Sequence, residues 1–112
     1  AGATGRTGRL VVGELVKRKI PVRAGVRSLD RARKAGLLDL PEGQVEVVLF
    51  DVAAPPEELA DAVSGAAAVI CTVGFVPTFV AADDRQLARE IDNEGTCRLV
   101  DAAAAAGARR FV

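Results

Sequence analysis

At 112 residues, half of them hydrophobic and with a formal net charge of zero, the chain makes at most one ordinary domain with enough apolar content for a core. No apolar run approaches the roughly 20 residues of a membrane span, so no direct span is expected, and no secretory leader is visible. Two Cys and no His offer neither a disulfide framework nor a metal-ligand cluster, so no metal is expected and each Cys reads as a small buried hydrophobe.

The charge is segregated. Residues 1–36 carry ten Lys/Arg and two acids, residues 37–84 carry nine acids and no Lys or Arg, and the remainder carries five Lys/Arg and four acids. A basic first third suits an anionic ligand; solvated helix faces account for the same residues without one.

Hydrophobic texture alternates between two periods along the chain. "RLVVGELVKRKI" predicts a helix with Val11, Val12, Leu15 and Val16 on one side, and "PVRAGV", residues 21–26, a short strand. "RSLDRARKAGLL" predicts a second helix, with Ser28 or Asp30 near its start and Gly36 as its stop. "QVEVVLF" is β-branched and predicts a strand over residues 45–50. "PPEELADAVSG" starts with Pro, has acids in its first turn and ends at Gly65, the profile of a third helix. "AAAVICTVG" is a continuous apolar run, expected to be a strand covered on both faces. The loop "FVPTFVAADD" leads to the longest predicted helix, residues 85–106, with Leu87, Ile91, Gly95, Leu99, Ala102, Ala103 and Ala106 on one face. Gly107 ends it, and "RRFV" begins another strand. Helices alternating with apolar strands predict an α/β fold with a doubly wound parallel sheet, the Rossmann architecture.

The start of the chain, "AGATGRTGRLVV", places Gly2, Gly5 and Gly8 three apart ahead of the first helix. In that setting the first glycine permits a tight turn, the next lets backbone N–H groups approach a diphosphate, and the last lets the helix pack closely on the sheet. The helix N-terminus then offers unpaired N–H groups and partial positive charge to an anion. A purely structural turn is the alternative. No Gly-Lys-Ser/Thr follows, which makes a P-loop a poor rival. Such a loop is normally fed by a strand, yet only Ala1 precedes Gly2. The chain is therefore expected to be an excerpt: residues 1–112 as a partial NAD(P)-binding Rossmann domain, lacking the first strand and most of the fifth.

The end of the second strand reads the ribose. An acid there, about 20 residues after the glycines, accepts from a free 2′-hydroxyl. This chain has "RAGVRS", with Arg27 in that place and Ser28 beside it. Guanidinium forks suit phosphate oxygens, and Arg6 in the glycine loop is placed to approach the same group. NADP(H) is therefore expected in preference to NAD(H). The alternative for Arg27 is a surface pairing with Asp30. Asp51, after the third strand in "LFDV", is placed to accept from the adenine amino group or to serve as a turn acid. "TVGF" ends the fourth strand, where Gly74 allows close approach of a dinucleotide.

Together, "AGATGRTG", "VRAGVRS", "AVICTVGF" and "IDNEGTCRLVDAA" resemble the atypical short-chain dehydrogenase/reductases, the NAD(P)H-binding group with a GATGxxG loop. The resemblance spans essentially the whole chain. It is strongest to plant and algal chloroplast members, among them the NADP-binding component of the inner-envelope import translocon. It implies cofactor contacts from Gly2, Thr4, Gly5, Arg6, Thr7 and Gly8, a 2′-phosphate site at Arg27 and Ser28, adenine contacts at Asp51 and its neighbour Val52, and a dinucleotide path along Thr72, Val73 and Gly74. Two residues depart from the family pattern: Lys19 replaces a glycine common at the end of the first helix, and Asp92 stands where many extended members carry Asn. The superfamily's catalytic Tyr-x-x-x-Lys pair lies beyond the fifth strand, and this sequence has no Tyr.

The function expected is that of an NADP(H)-binding oxidoreductase. The alternative is a non-catalytic NADP(H)-binding subunit that senses redox state or braces a chloroplast membrane-associated complex. A dinucleotide is the expected ligand, protein partners belong to the alternative, and no nucleic-acid partner is expected. The resemblance implies the chloroplast, with the cytoplasm as the other location.

Overall fold

A computed structural model describes residues 1–77 and 84–112. Helix α1 (Arg6–Lys17) is followed by strand β1 (Val22–Val26), helix α2 (Leu29–Lys34), a 3-10 turn (Leu37–Asp39) and strand β2 (Val45–Leu49). The strands β1 and β2 are parallel, with Val22 opposite Val45 and Val26 opposite Leu49. Pairing continues past the strand ends, because Phe50 N–H donates to the Val26 carbonyl at 2.8 Å. Ala24, Gly25 and Val26 are buried in succession, as in a parallel strand covered on both faces. The core of this unit joins Ala3, Val12, Ala24, Val26, Ala32 and Leu37. Across the exposed register pair, Arg23 Nε meets Glu46 Oε2 at 2.9 Å.

The helix ends follow local chemistry. Ser28 caps α2, its hydroxyl accepting from Arg31 N–H at 3.4 Å. Gly36, at φ 72°, lets the chain leave α2 in the left-handed region. At the end of α1, Lys19 N–H donates to Val16 O and Ile20 N–H to Leu15 O, at 2.9 and 3.0 Å. That pair of bonds is the Schellman motif, whose left-handed position is usually Gly. Here it is Lys19, at φ 57°. The same motif closes the last helix with Gly107, through Gly107 N–H to Ala104 O and Ala108 N–H to Ala103 O.

A division of the chain at residues 51 and 52 gives two compact units, Ala1–Asp51 and Val52–Val112. The second contains α3 (Pro56–Val63), β3 (Ala68–Val69), α4 (Asp84–Ala88), a π-helical segment (Arg89–Gly95), α5 (Thr96–Ala105) and β4 (Arg110–Phe111). Pro56 stands at the start of α3 with Glu57 and Glu58 in its first turn, and Gly65 follows at φ 71°. Helix α3 packs on α5, and Leu59 and Leu99 on these helices are fully buried. The strands β3 and β4 are parallel, Ala68 opposite Arg110 and Val69 opposite Phe111.

Five expectations need correction. The predicted strand over residues 66–74 is regular only at Ala68–Val69, where Val69 is buried and Ala68 exposed; flanking bonds such as Cys71 N–H to Val112 O at 2.7 Å continue its pairing with β4. The single long helix is instead three segments, with seven π-helical residues in the middle. A π turn places an extra residue in the repeat, so a face extrapolated at α-helical period loses register. Leu99, Ala102 and Ala103 are buried as expected, but Leu87 is 40% exposed. Cys97 is exposed rather than buried. It lies two residues from both Gly95 and Leu99, on the outward side of the helix, and its Sγ donates to Asn93 Oδ1 at 3.6 Å. Cys71 is half-buried.

Lys19 holds a conformation that costs a side-chain-bearing residue about 1–2 kcal/mol. Lys19→Gly relieves that cost and gives back part of it by loosening the unfolded chain, by about 0.4–1 kcal/mol. The expected net gain is about 0.5–1 kcal/mol, read as a higher denaturant midpoint with unchanged slope. Gly107→Ala at the equivalent position is expected to shift the midpoint the other way.

Candidate functional site

The site is built from the turn that leads into α1. Gly2 takes φ 78°, open to glycine and strained for other residues. Its carbonyl accepts Gly5 N–H at 3.0 Å, closing the turn over Ala3 and Thr4. Gly5 then caps α1 in extended conformation with no side-chain cap, and its carbonyl accepts Arg9 N–H at 3.0 Å. A Cβ built on Gly8 would lie 2.1 Å from the Gly2 carbonyl oxygen and 2.9 Å from Ala3 Cα. The third glycine is thus required because the first turn of α1 rests directly on the backbone of the loop.

A backbone hydrogen bond ties the loop to the sheet. Along β1, Val22 and Val26 bond toward β2, so the alternating backbone groups of Arg23 and Gly25 face the opposite edge. There the Gly25 carbonyl accepts Ala3 N–H at 3.3 Å. The glycine loop therefore lies at the carboxyl end of β1. Arg27 and Ser28 leave that end directly, and Asp51 leaves the carboxyl end of the parallel β2.

The first turn of a helix has N–H groups with no acceptor in the helix itself. Those of Arg6, Thr7 and Gly8 have no hydrogen-bond acceptor among the described residues. Arg6 and Thr7 are exposed, Thr4 is half-buried and Gly8 is buried. Three donors at the positive end of a twelve-residue helix form a mouth for an anion.

Arg27 is exposed and, among the described residues, forms no ion pair. The alternative pairing with Asp30 is not made, since Asp30 Oδ1 lies 3.6 Å from Arg33 Nη1. Arg6 likewise has no ion pair among these residues. Ser28 Oγ accepts from Arg31 N–H and keeps its own proton for donation. Arg31, not singled out in the sequence, is also exposed without an ion pair among the described residues.

Val52, Thr72, Val73 and Gly74 belong to the second unit. Val52 is buried, its carbonyl accepts from Arg98 Nε at 3.4 Å, and its side chain fills the space a Cβ on Gly95 would need. Thr72 and Val73 are half-buried and Gly74 exposed, in the irregular segment after β3. Residues 78–83 of the loop "FVPTFVAADD", considered for a substrate pocket or a partner contact, lie outside the described residues.

Residues 2–112, which include the glycine turn and both pairs of parallel strands, match the sequence profile described as NAD(P)H-binding. The chain belongs to that NAD(P)H-binding family. Uncharacterized protein At2g34460, chloroplastic, of Arabidopsis thaliana is 40% identical over 113 residues, which cover 100% of this chain and 38% of that protein. Protein TIC 62, chloroplastic, of the same plant is 33% identical over 124 residues, covering 100% of this chain and 19% of the relative. The chain thus spans well under half the length of both curated relatives. The crystal structure of the oxidoreductase ylbE from Lactococcus lactis superposes with a TM-score of 0.70 at 27% identity, over 99% of this chain and 44% of that one. The fold is accordingly a Rossmann-like NAD(P)-binding one, with neighbours of the short-chain dehydrogenase/reductase type. The expected resemblance is to this family and to its chloroplast members, as the comparisons show.

Two substitutions on α1 separate packing from helix propensity. Gly8→Ala drives a methyl into backbone and is expected to cost about 1–3 kcal/mol. Gly13→Ala, with nothing within 4 Å of the new Cβ, is expected to add about 0.5–1 kcal/mol. Urea titrations of the two variants against the parent measure both.

Proposed function

We propose that this chain binds NADP(H) in preference to NAD(H), as the nucleotide-binding part of an oxidoreductase. The single observation that carries the reading is the helix mouth. Three backbone donors without acceptors stand over a loop whose glycines leave no side chain between backbone and ligand. A diphosphate fits that chemistry: it is an anion with several acceptor oxygens, and the cradle is one a Cβ would fill.

In this reading the N–H groups of Arg6, Thr7 and Gly8 hold the diphosphate, with Gly2, Thr4 and Gly5 shaping the turn beneath it. Arg27 and Ser28 take the 2′-phosphate, and Arg6 approaches it from the loop. Support comes from what their side chains do without ligand. Arg27 and Arg6 have no ion pair among the described residues, and the Ser28 hydroxyl retains a donor. Asp51, after β2, is placed for the adenine. The cofactor, when bound, supplies hydride transfer; these residues bind and orient it. The neighbour ylbE, an oxidoreductase, supports the redox role, and a chloroplast location is supported by the names of both plant relatives.

Charge reversal at Arg27 tests the specificity. Each charge-assisted bond to the phosphate contributes about 1.5–3 kcal/mol, so Arg27→Asp is expected to weaken NADPH about 10- to 150-fold. NADH, which lacks the phosphate, should change little. Calorimetric titration of the intact protein with both nucleotides gives the answer, and equal losses for the two would reject the assignment.

A further inference from the structure

The chain after β3 and the π-helical Arg89–Gly95 lie in the same unit, Val52–Val112, and a short hydrogen bond joins them. Asp92 Oδ1 accepts Phe75 N–H at 2.7 Å, the length expected for a bond to an ionised acceptor. Phe75 lies in a run with neither helix nor strand. Among the described residues, Val73, Gly74 and Val76 form no backbone hydrogen bond. Backbone without such bonds opens locally unless something else holds it, and Asp92 supplies that hold at Phe75. A second contact sits at the other end of the π segment. A Cβ on Gly95 would lie 2.8 Å from Val52 Cγ2 and 3.1 Å from the Glu90 carbonyl oxygen. Glu90 precedes Gly95 by five residues, the spacing of a π-helical hydrogen bond. Gly95 therefore rests on Val52 and on the carbonyl of the π turn together, where a side chain has no room. Beyond it, Arg98 Nε donates to the Val52 carbonyl at 3.4 Å.

These two contacts need one helix register. At roughly 3.6 residues per turn, a shift of one residue rotates an α-helix by about 100°. If the π turn resolves to α-helical pairing, one flank turns by about that much against the other. With Gly95 still seated on Val52, Asp92 then swings away from Phe75; with Asp92 still on Phe75, Gly95 leaves Val52. We propose that the π segment is a two-register device: its π form latches the chain at Phe75, and its α-helical form releases residues 73–76 without unfolding β3 and β4. The seat of Gly95 on Val52 thereby controls the Phe75 amide, although Phe75 shares no hydrogen bond with either residue. The device lies wholly within this unit and needs no ligand.

Amide hydrogen exchange on the intact protein tests this. Cys71 and Val112 serve as references, because their N–H groups donate to Val112 O and Val69 O at 2.7 and 3.0 Å, between the paired strands. The Phe75 amide of the parent should be protected. Asp92→Ala is expected to speed its exchange about tenfold, with both references within about twofold. The decisive variant is Gly95→Ala. It leaves both partners of the latch in place, yet it should speed Phe75 to a similar extent, and adding Asp92→Ala to it should change little more. If Gly95→Ala fails to fold, Val52→Ala, which strips the side chain that Gly95 rests on, takes its place with the same expectation. A parent Phe75 amide exchanging at the free-peptide rate would overturn the proposal, as would either an Asp92 or a seat variant that leaves it protected. Fully additive effects of the two substitutions would make the contacts independent and would also overturn it. So would references that accelerate as much as Phe75, since the run would then open only with the whole unit.

Discussion

The first unit depends on a contact between two pieces of backbone. The first turn of α1 sits on the loop at Gly2 and Ala3, at a separation that leaves no room for a single carbon on Gly8. Everything local follows from that approach. It lets Gly2 close its turn on Gly5, it sets Ala3 against the edge of β1, and it brings the mouth of α1 to the carboxyl end of β1 and β2. A helix held further away would still present its dipole, but its N–H groups would no longer line a cradle made of glycine backbone. The same geometry that packs the helix therefore leaves three donors without acceptors among the described residues.

Among the described residues of this unit, Lys17, Arg18, Arg23 and Arg33 form ion pairs and the other basic side chains do not. Lys17 and Arg18 pair with Glu14, and Arg23 pairs with its register partner Glu46. Arg6, Arg27 and Arg31, by contrast, form no ion pair among the described residues. Arg6 stands at the mouth of α1, and Arg27 and Arg31 follow the carboxyl end of β1. Exposed ion pairs contribute little to stability, so the pairing pattern matters less for the fold than for the local potential it leaves behind. An anion approaching Arg6, Arg27 and Arg31 meets guanidinium groups that form no ion pair among the described residues.

Much of this was legible in the sequence because the deciding rules are local. Glycines spaced three apart ahead of a helix, a Ser cap at residue 28, Pro56 with Glu57 and Glu58 behind it, and left-handed stops at Gly36, Gly65 and Gly107 each act within a few residues. The misses have non-local causes. The π-helical segment accompanies the seating of Gly95 on Val52, more than forty residues away in sequence, and periodicity along the helix carries no trace of it. Once the extra residue is present, the extrapolated face fails at Leu87 while it holds at Leu99, Ala102 and Ala103. The hydrogen bond from Phe75 N–H to Asp92 Oδ1, at 2.7 Å, joins residues seventeen apart and was invisible for the same reason. Lys19 is a different case: its departure from Gly was visible in the sequence, and the chain nevertheless completes the Schellman motif with a side chain in the left-handed region.

The most direct measurement is of the amide groups themselves. With selective nitrogen-15 labelling of the intact protein, the account predicts that NADPH shifts the amide resonances of Arg6, Thr7 and Gly8 strongly, as their N–H groups acquire charged acceptors. Saturable NADPH binding that leaves those three resonances in place would show that the dinucleotide sits elsewhere, and would contradict it.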